Sequence, residues 1–243
     1  MTEWNGKKYW LIGASEGLGR ALAHQLSRAG VEVYASARSE DRLNDLVNEL
    51  PAKAHAVPCD VSDLESIRAA AETVGDVDGV IYLAGVYWPM KPAEIDPEKM
   101  ALMGDINLNG AMRVVGVMIP KFVSRGSGHL VLTGSLSGFR GLPGAVGYGA
   151  SKAGVMSLAE TLHADLRKTG VRVQLVNPGF IRTRLTDKND FSMPFLMEPE
   201  DAATEIFEHM NSARFARSFP RVFSWMFRIA NLLPDWAYFR IVG

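Results

Sequence analysis

The sequence has little cysteine, no uninterrupted apolar run of membrane-spanning length and no excess of charge of one sign. A single cysteine, Cys59, occurs in 243 residues, so no internal disulfide can form and we expect a reducing compartment. Lys and Arg number 26 against 27 Asp and Glu, a balance that gives no basic field to attract nucleic acid. We therefore predict no nucleic-acid partner.

The last stretch, residues 219–243, is apolar but too often interrupted to cross a membrane. A spanning helix needs ~20 consecutive apolar residues. Four charged residues break this stretch: Arg221, Arg228, Asp235 and Arg240. The segment could cover a pocket, join subunits or lie on a membrane surface, and we favour burial against its own or a partner subunit.

What the sequence does contain is the composition of a globular protein. Hydrophobic residues make up 47% and charged residues 22%, which allows a full core. No Pro/Ser-rich linker or repeat divides the chain, so we predict one domain over residues 1–243. Lys7 and Lys8 lead directly into the first predicted strand without an apolar leader, and we expect a cytoplasmic location.

Short β-type runs alternate with longer helical patterns along most of the chain. Six runs rich in Val, Ile and Leu predict strands at residues 9–12, 31–37, 54–58, 79–83, 129–133 and 171–176. Residues 55–59, which include Cys59, have the character of a buried strand. This alternation is typical of βαβ units, so we predict an α/β fold with a parallel sheet.

A glycine-rich loop, Gly13-Ala14-Ser15-Glu16-Gly17-Leu18-Gly19, lies between the first strand and the first helix. Gly13 would permit the tight turn, Gly17 would let backbone approach phosphates, and Gly19 would let the helix pack closely on the sheet. The helix N–H groups then face an anion. The loop predicts a dinucleotide site, and the alternative is a flexible strand-to-helix turn.

Tyr148-Gly149-Ala150-Ser151-Lys152 falls in a predicted helix, where side chains four residues apart share one face. A free tyrosine has a pKa of about 10, and a neighbouring cation lowers it toward the range of a general acid/base. We therefore assign Tyr148 to proton transfer and Lys152 to its activation. Ser135 follows an apolar strand 13 residues upstream, where a hydroxyl can hold a substrate oxygen, with Ser137 as its competitor.

Together, the G-x-x-x-G-x-G loop and the Ser135, Tyr148 and Lys152 spacing resemble the short-chain dehydrogenase/reductase family over roughly residues 7–211. The resemblance implies a Rossmann-like, doubly wound parallel sheet of about seven strands with helices on both faces. It implies a carbonyl/alcohol oxidoreductase with no metal. It also implies that Asn107 interrupts a helix and holds a water linking Lys152 to solvent, with Asn109, or a surface amide, as alternatives.

The resemblance also implies the residues that hold the dinucleotide. Asp60 matches the residue that recognises adenine, although helix capping is an alternative role. The family's Asn-Asn-Ala-Gly is kept only in its last two residues, and Ile12 stands where the family has Thr. The implied cofactor residues are Gly13, Ser15, Glu16, Gly17, Leu18, Gly19, Arg38, Asp60, Val61, Ala84, Gly85, Tyr148, Lys152, Pro178, Gly179, Ile181 and Thr183.

The end of the second strand predicts which dinucleotide is used. NAD enzymes place an acidic residue there to bond the ribose hydroxyls. This chain has Ala37-Arg38 instead, and a guanidinium can grip a 2′-phosphate bidentately. We predict NADP(H) over NAD(H), with reduction as the favoured direction. The alternative is that Arg38 is a solvated loop residue.

Apolar residues near the predicted site indicate a pocket for a small apolar substrate. They are Tyr87, Trp88, Met90, residues 139–143 and residues 185–197, with residues 182–199 as a lid that excludes water. These side chains could instead simply pack loops. Small residues on the Tyr148 helix allow close helix approach and predict a homo-oligomer, a dimer or tetramer: Gly149, Ala150, Ala153 and Gly154.

We therefore predict an NADPH-dependent oxidoreductase of a small carbonyl or alcohol. One alternative is a binding protein that senses NADP(H) without turnover, although such proteins often lose the tyrosine or lysine that this chain keeps. The other is a peripheral membrane reductase acting on lipid-like substrates.

Overall fold

A sheet of seven parallel strands runs through the described part of the molecule, which in this computed structural model comprises residues 3–189 and 191–242. In chain order the strands are β1 (Lys8–Ile12), β2 (Glu32–Ser36), β3 (Ala54–Ala56), β4 (Gly79–Tyr82), β5 (Gly128–Thr133), β6 (Val171–Pro178) and β7 (Ala216–Phe219). Their order across the sheet is β3-β2-β1-β4-β5-β6-β7. The order reverses between β1 and β4, and α/β sheets bind ligands beyond the carboxyl ends of the strands at such a point.

Helices connect the strands. They are α1 (Gly17–Arg28), α2 (Glu40–Glu49), α3 (Leu64–Val74), α4 (Pro97–Met103), α5 (Gly110–Arg125), α6 (Val146–Leu166), α7 (Pro199–Met210), α8 (Arg221–Ala230) and α9 (Asp235–Val242). A π-helical turn, Gly104–Asn109, joins α4 to α5. Short 3₁₀ turns lie at Pro92–Glu94, Leu136–Gly138 and Thr186–Lys188. No helix in the described residues is long and apolar enough to span a bilayer.

Alternating side chains of each strand enter two separate cores, because successive residues of a strand point to opposite faces. Trp10 packs with α3, α5 and α6 on one face, whereas the adjacent Leu11 packs with α1, α2 and α7 on the other. Both side chains are fully buried. The strands therefore have apolar residues on both faces, as parallel strands covered by helices do.

The predicted α/β fold with helices on both faces is confirmed, and all six predicted strands are present. The third is shorter than predicted, since β3 ends at Ala56. Cys59 lies beyond the strand, although it is buried and its N–H still donates to the Ala37 carbonyl at 3.0 Å. The seventh strand, β7, was not among the six predicted runs.

The segment over residues 219–243, described as far as 242, is only partly buried against its own chain. Phe219, Phe223 and Tyr238 are buried, but Leu232 is 85% and Trp236 is 75% exposed. The chain itself therefore covers only part of this segment, and the expectation of burial against its own or a partner subunit stays a prediction for the rest. Amphipathic periodicity places only one side of a surface helix on the core.

Arg140, in the loop after β5, fastens this segment to the body. Its guanidinium lies 4.0 Å from the centroid of the Tyr238 ring and donates to the Leu233 carbonyl at 2.7 Å. It also forms an ion pair with Asp235. The Tyr238 hydroxyl donates to the Gly141 carbonyl at 2.7 Å. Cation–π and hydrogen-bond contacts thus hold α8 and α9 beside the loop that follows β5.

Candidate active site

A cavity of about 1040 Å³ opens at the carboxyl ends of β1, β4, β5 and β6. Every predicted site residue except Asn107 lines it. These residues are Gly13, Ser15, Glu16, Gly17, Leu18, Gly19, Arg38, Asp60, Val61, Ala84, Gly85, Ser135, Tyr148, Lys152, Pro178, Gly179, Ile181 and Thr183. The carboxyl ends of parallel strands meet at one edge of the sheet, which brings these distant loops together.

The glycine loop makes a turn that side chains would obstruct. Gly13 has φ +92°, a backbone conformation that favours glycine. A Cβ at Gly19 would lie 1.9 Å from the Gly13 carbonyl oxygen, so only glycine lets α1 start this close to β1. Glu16, which precedes α1, makes no capping bond with its side chain. The first N–H groups of α1 are therefore left for a ligand.

The Glu16 carboxylate is shared by two arginines at the edge of the cavity. Arg42 of α2 donates to it at 3.1 Å, and Arg184 pairs with its other oxygen. Arg184 belongs to residues 182–199, the segment predicted to be a lid. Glu16 thus links the glycine loop to that segment, while its backbone remains at the N-terminus of α1.

Arg38 and Asp60 lie at the end of the cavity beyond β2 and β3. Arg38 is exposed and has no hydrogen-bond or ion-pair partner within residues 3–189 and 191–242. Asp60 accepts hydrogen bonds from the N–H and hydroxyl of Ser62 at 2.9 and 2.7 Å. Burial opposes ionisation of Asp60, but these bonds and nearby Arg38 hold its pKa below the usual value. Helix capping of α3 falls to Asp63, not Asp60.

Ser135 and Tyr148 meet beyond the end of β5. Ser135 follows that strand, and its side chain lies near enough to Tyr148, in the first turn of α6, to lower the pKa of the phenol. Ser137 donates to the Ser135 Oγ through both its N–H, at 3.2 Å, and its hydroxyl, at 3.0 Å. Ser137 therefore orients the Ser135 hydroxyl, and the choice of Ser135 over Ser137 as the serine that acts with Tyr148 stays a prediction.

The pKa values of Tyr148 and Lys152 are both moved by desolvation. Desolvation raises the pKa of Tyr148 to about 12, although the nearby Ser135 hydroxyl lowers it, and nearby Tyr87 adds to the rise. Burial lowers the pKa of Lys152 to about 8. The lysine Nζ lies 5.7 Å from the Tyr148 ring centroid. Desolvation thus sets the direction of the Tyr148 shift in the protein alone, and the activation of Tyr148 by Lys152 stays a prediction.

Two polar groups of β5 and α6 are buried with few partners. Lys152, 4% exposed, donates one hydrogen bond, to the Thr133 carbonyl at 2.9 Å. The Thr133 hydroxyl lies on the cavity wall and has no partner within the described residues. A buried polar atom without a partner is unusual and indicates a place where a ligand bonds.

Asn107 is fully buried in the π-helical turn and lies behind the cavity wall. Its side-chain oxygen accepts from the Val86 N–H at 2.7 Å, and its amide nitrogen donates to the Val86 carbonyl and to the Ser151 Oγ, each at 3.0 Å. The surface-amide alternative is therefore wrong. Asn109, by contrast, reaches only Asp105, at 3.5 Å. Asn107 ties the loop after β4 to the helix that carries Tyr148.

The substrate side of the cavity is largely aromatic. The rings of Tyr87 and Tyr148 meet edge to face with centroids 4.9 Å apart, and the Tyr87 hydroxyl donates to Asn189 at 2.9 Å. Met90 also lines the cavity. Trp88, predicted to line it, instead lies beneath the Lys188 ammonium, 4.3 Å from the ring centroid.

Part of the aromatic wall was either not predicted, as for Phe180, or predicted only as one alternative, as for the segment that includes α8. Phe180 follows β6, and Phe223 and Phe227 come from α8; all three line the cavity. The ring centroids of Phe223 and Phe227 are 5.0 Å apart, and those of Phe180 and Phe223 are 5.8 Å apart. The apolar character of α8 was visible in the sequence, but the return of the helix to this edge of the sheet was not.

These observations fit a nicotinamide dinucleotide. The glycine turn leaves no room for side chains, and the N-terminus of α1 offers free N–H groups to phosphates. The Thr133 hydroxyl has no hydrogen-bond partner in the described residues. Arg38 is available for further negative charge. The cavity has room for both a dinucleotide and a small substrate. Fold and site together define a nucleotide-binding α/β protein.

Comparison with known proteins gives the family. A family model for short chain dehydrogenase matches residues 7–192. An uncharacterized oxidoreductase of Myxococcus xanthus is 38% identical over 242 residues, covering 97% of this chain and 96% of the relative. The chain therefore belongs to the short chain dehydrogenase family, and it is an NAD(P)-dependent oxidoreductase.

Solved structures agree on the fold. A short-chain dehydrogenase/reductase from Burkholderia phymatum in complex with NAD has a TM-score of 0.87 at 26% identity, covering 95% of this chain and 94% of the other. A serine dehydrogenase complexed with NADP⁺ has a TM-score of 0.80 at 23% identity, covering 87% and 94%. NAD and NADP⁺ each occur in one of these structures, so a preference has to be argued from this chain's own residues.

Proposed function

We propose that the protein reduces the carbonyl group of a small apolar substrate with NADPH, and that Tyr148 is its general acid/base. The observation that carries the proposal is the meeting of Ser135, Tyr148 and Lys152 on one wall of the cavity that also contains the glycine loop. A side chain that transfers a proton must lie within hydrogen-bond reach of the reacting group.

The chain's residues divide the cavity into two parts. The glycine loop, Arg38 and Asp60 would hold the adenosine and phosphate end of the dinucleotide, and the turn Pro178–Gly179 with Thr183 would approach the nicotinamide. When bound, this cofactor supplies the hydride in reduction and accepts it in oxidation. Phe180, Tyr87 and the α8 residues Phe223 and Phe227 would enclose the substrate, which favours an apolar molecule.

The protein's own contribution is to hold and move a proton. Because the pKa of Tyr148 is about 12, its phenol keeps its proton at physiological pH and can donate it to a carbonyl oxygen as that oxygen gains charge. Ser135 would hold the same oxygen. Lys152 is protonated below its pKa of about 8, and its charge would stabilise the phenolate that forms.

Replacement of Tyr148 by Phe tests this assignment. We expect Tyr148→Phe to lower kcat by about 10²- to 10⁴-fold, the usual contribution of a general acid, with little change in dinucleotide affinity measured by fluorescence. Tyr87→Phe is the matched control, since it removes a hydroxyl from the neighbouring ring, and it should change kcat by less than about tenfold. Unchanged turnover in Tyr148→Phe would contradict the mechanism.

The proposed NADP(H) preference rests on Arg38, which has no partner in the described residues. A charged hydrogen bond contributes about 1.5–3 kcal/mol, so Arg38→Gln should lower kcat/KM for NADPH by roughly 10- to 100-fold and leave that for NADH nearly unchanged. Arg42→Gln is the control, because Arg42 is occupied by Glu16. Comparable kcat/KM for the two cofactors in the wild-type protein would rule out this role of Arg38.

We also propose that the protein works in the cytoplasm as a homo-oligomer, a dimer or tetramer. Of the small residues on α6, Ala150 and Ala153 are exposed and available to a second helix, whereas Cβ atoms at Gly149 and Gly154 would meet this chain's own Ser137 and Leu108. Light scattering tests the assembly, and Ala153→Arg should reduce the measured mass. A monomeric mass for the wild-type protein would refute the proposed homo-oligomer.

A further inference from the structure

Helix α8 is apolar on two opposite sides. Phe223 and Phe227 point to the cavity and the aromatic cluster beside it. The other side is exposed at positions i, i+3, i+4 and i+7, which share one helix face. These exposed residues are Val222 (67%), Trp225 (54%), Met226 (58%) and Ile229 (58%). One helix therefore forms both a wall of the cavity and an apolar outer surface.

The turn after α8 and helix α9 extend this exposed apolar character. Leu232 is 85% exposed, Trp236 75% and Phe239 57%. Half of the 16 large apolar side chains exposed in the described residues fall within residues 222–241. Scattered exposed apolar residues are ordinary, but such a concentration marks an interaction surface. Tyr238 and Arg140 hold it against the body of the protein.

The charges beside this surface indicate what covers it. Residues 219–242 contain three arginines, Arg221, Arg228 and Arg240, and one acid, Asp235, which is paired with Arg140. The segment is therefore positive in a chain whose net charge is -1. In a two-fold dimer the same patch meets itself, so a second copy would bring like charges together, which is unfavourable.

We propose that α8 and α9 dock the protein on an anionic membrane surface. Trp and Phe side chains suit the boundary between headgroups and acyl chains, and arginines on the same segment attract anionic lipid. The helices would lie on the surface and not cross it. This inference goes beyond the proposed reaction and does not depend on turnover. It would hold the cavity wall formed by α8 beside the lipid.

The test is flotation of the full-length protein with lipid vesicles at low salt. We expect the wild type to float with equal parts phosphatidylglycerol and phosphatidylcholine, and much less with phosphatidylcholine alone. Trp225→Ser with Trp236→Ser should weaken binding by more than about tenfold. Leu64→Ser with Val123→Ser is the matched control, since both are exposed apolar residues elsewhere, and it should float like the wild type.

Replacing the arginines separates the charge contribution. Arg221→Gln, Arg228→Gln and Arg240→Gln should each weaken binding to anionic vesicles by about fivefold, the effect of ~1 kcal/mol per cation, without changing binding to phosphatidylcholine. NADPH-dependent turnover of a water-soluble carbonyl substrate should stay near wild type in all these variants. A failure of turnover would thus be distinguishable from a failure of docking.

Three results would overturn the proposal. The first is a wild type that stays at the bottom of the gradient with anionic vesicles, and the second is a tryptophan variant that floats as well as the wild type. The third is a wild-type dimer that does not float and that the tryptophan substitutions convert to a monomer in light scattering. That result would assign the surface to a second copy.

Discussion

The two ends of strand β5 differ in whether their buried polar side chains are hydrogen-bonded. His129 near the amino end and Thr133 at the carboxyl end are each 6% exposed. Both ring nitrogens of His129 are hydrogen-bonded at 2.8 Å, one to the Tyr9 hydroxyl and one to Gln174. The Thr133 hydroxyl has no partner within the described residues.

The difference separates a region built for stability from one built for a ligand. Buried polar groups are almost always hydrogen-bonded, because an unsatisfied group costs about 1–3 kcal/mol. His129 follows that rule, and burial with nearby Arg172 lowers its pKa to about 3, so it stays neutral. The Thr133 hydroxyl breaks the rule, as does the Asn177 Oδ1 at the carboxyl end of β6, and Lys152 has a single partner. Thr133 and Lys152 line the cavity, where a bound molecule would complete their hydrogen bonding.

The largest expected effect lies at the amino end. His129→Leu leaves Tyr9 and Gln174 without their common partner, and we expect the free energy of unfolding to fall by about 3 kcal/mol. Guanidinium denaturation measures this change. Turnover of the folded variant should stay within about twofold of wild type, because His129 is remote from the cavity. A large loss of kcat in His129→Leu without loss of stability would contradict the assignment of the amino end of β5 to stability.

At the carboxyl end, removing a buried charge should stabilise the protein. Burial lowers the pKa of Lys152 from 10.5 to about 8, which corresponds to a cost of about 3 kcal/mol for the charged form. Lys152→Met removes that cost but loses the bond to Thr133. We expect a net gain of about 2 kcal/mol at pH 7 together with loss of activity.

The pH dependence of stability independently checks whether the charge on Lys152 destabilises the folded protein. Between pH 8 and 10.5 the unfolded chain keeps the Lys152 proton and the folded protein releases it, so wild-type stability should rise with pH across this window. The Lys152→Met variant lacks that contribution, and its advantage should shrink as the pH rises. If Lys152→Met were less stable than the wild type at pH 7, the contacts of the Lys152 ammonium would outweigh the cost of burying its charge.

The smallest effect concerns Thr133. Thr133→Val keeps the shape and removes an unpartnered hydroxyl, so we expect a gain of about 1 kcal/mol in the free energy of unfolding. Dinucleotide affinity, measured by titration, should fall. Thr161→Val, at an exposed position on α6, is the control and should change stability by less than about 0.5 kcal/mol. Destabilisation by Thr133→Val would show that the hydroxyl is satisfied.

Much of the fold could be predicted because parallel strands and glycine turns are local signals. The run at residues 79–83 is apolar without alternation, as a strand covered on both faces must be. The glycine loop could be located because it falls between a strand and a helix. Ser135, Tyr148 and Lys152 could be grouped because one helix turn and one strand end bring them together.

Other features depend on contacts that no local pattern records. β7 has four residues, three of them only partly buried, so it lacks the apolar run of the other strands. The direction of the Tyr148 pKa shift follows from desolvation, which requires the packed structure. The aromatic wall from Phe223 and Phe227 depends on where α8 returns, and the bonds of Asn107 to Val86 join segments 21 residues apart.

The π-helical turn between α4 and α5 has a consequence for sequence length in this region. Such a turn holds one residue more than the α-helix around it, because a wider turn rotates less per residue than the about 100° of an α-helix. Deleting one residue from Gly104–Asn109 would therefore let the turn close into a continuous α-helix with α4 and α5 in nearly their present register. The contacts of the turn itself would change, because Tyr82, which donates to the Ile106 carbonyl at 2.6 Å, and Val86 would both lose their partners. A single-residue deletion here should therefore keep the two helices aligned and disturb the loop after β4.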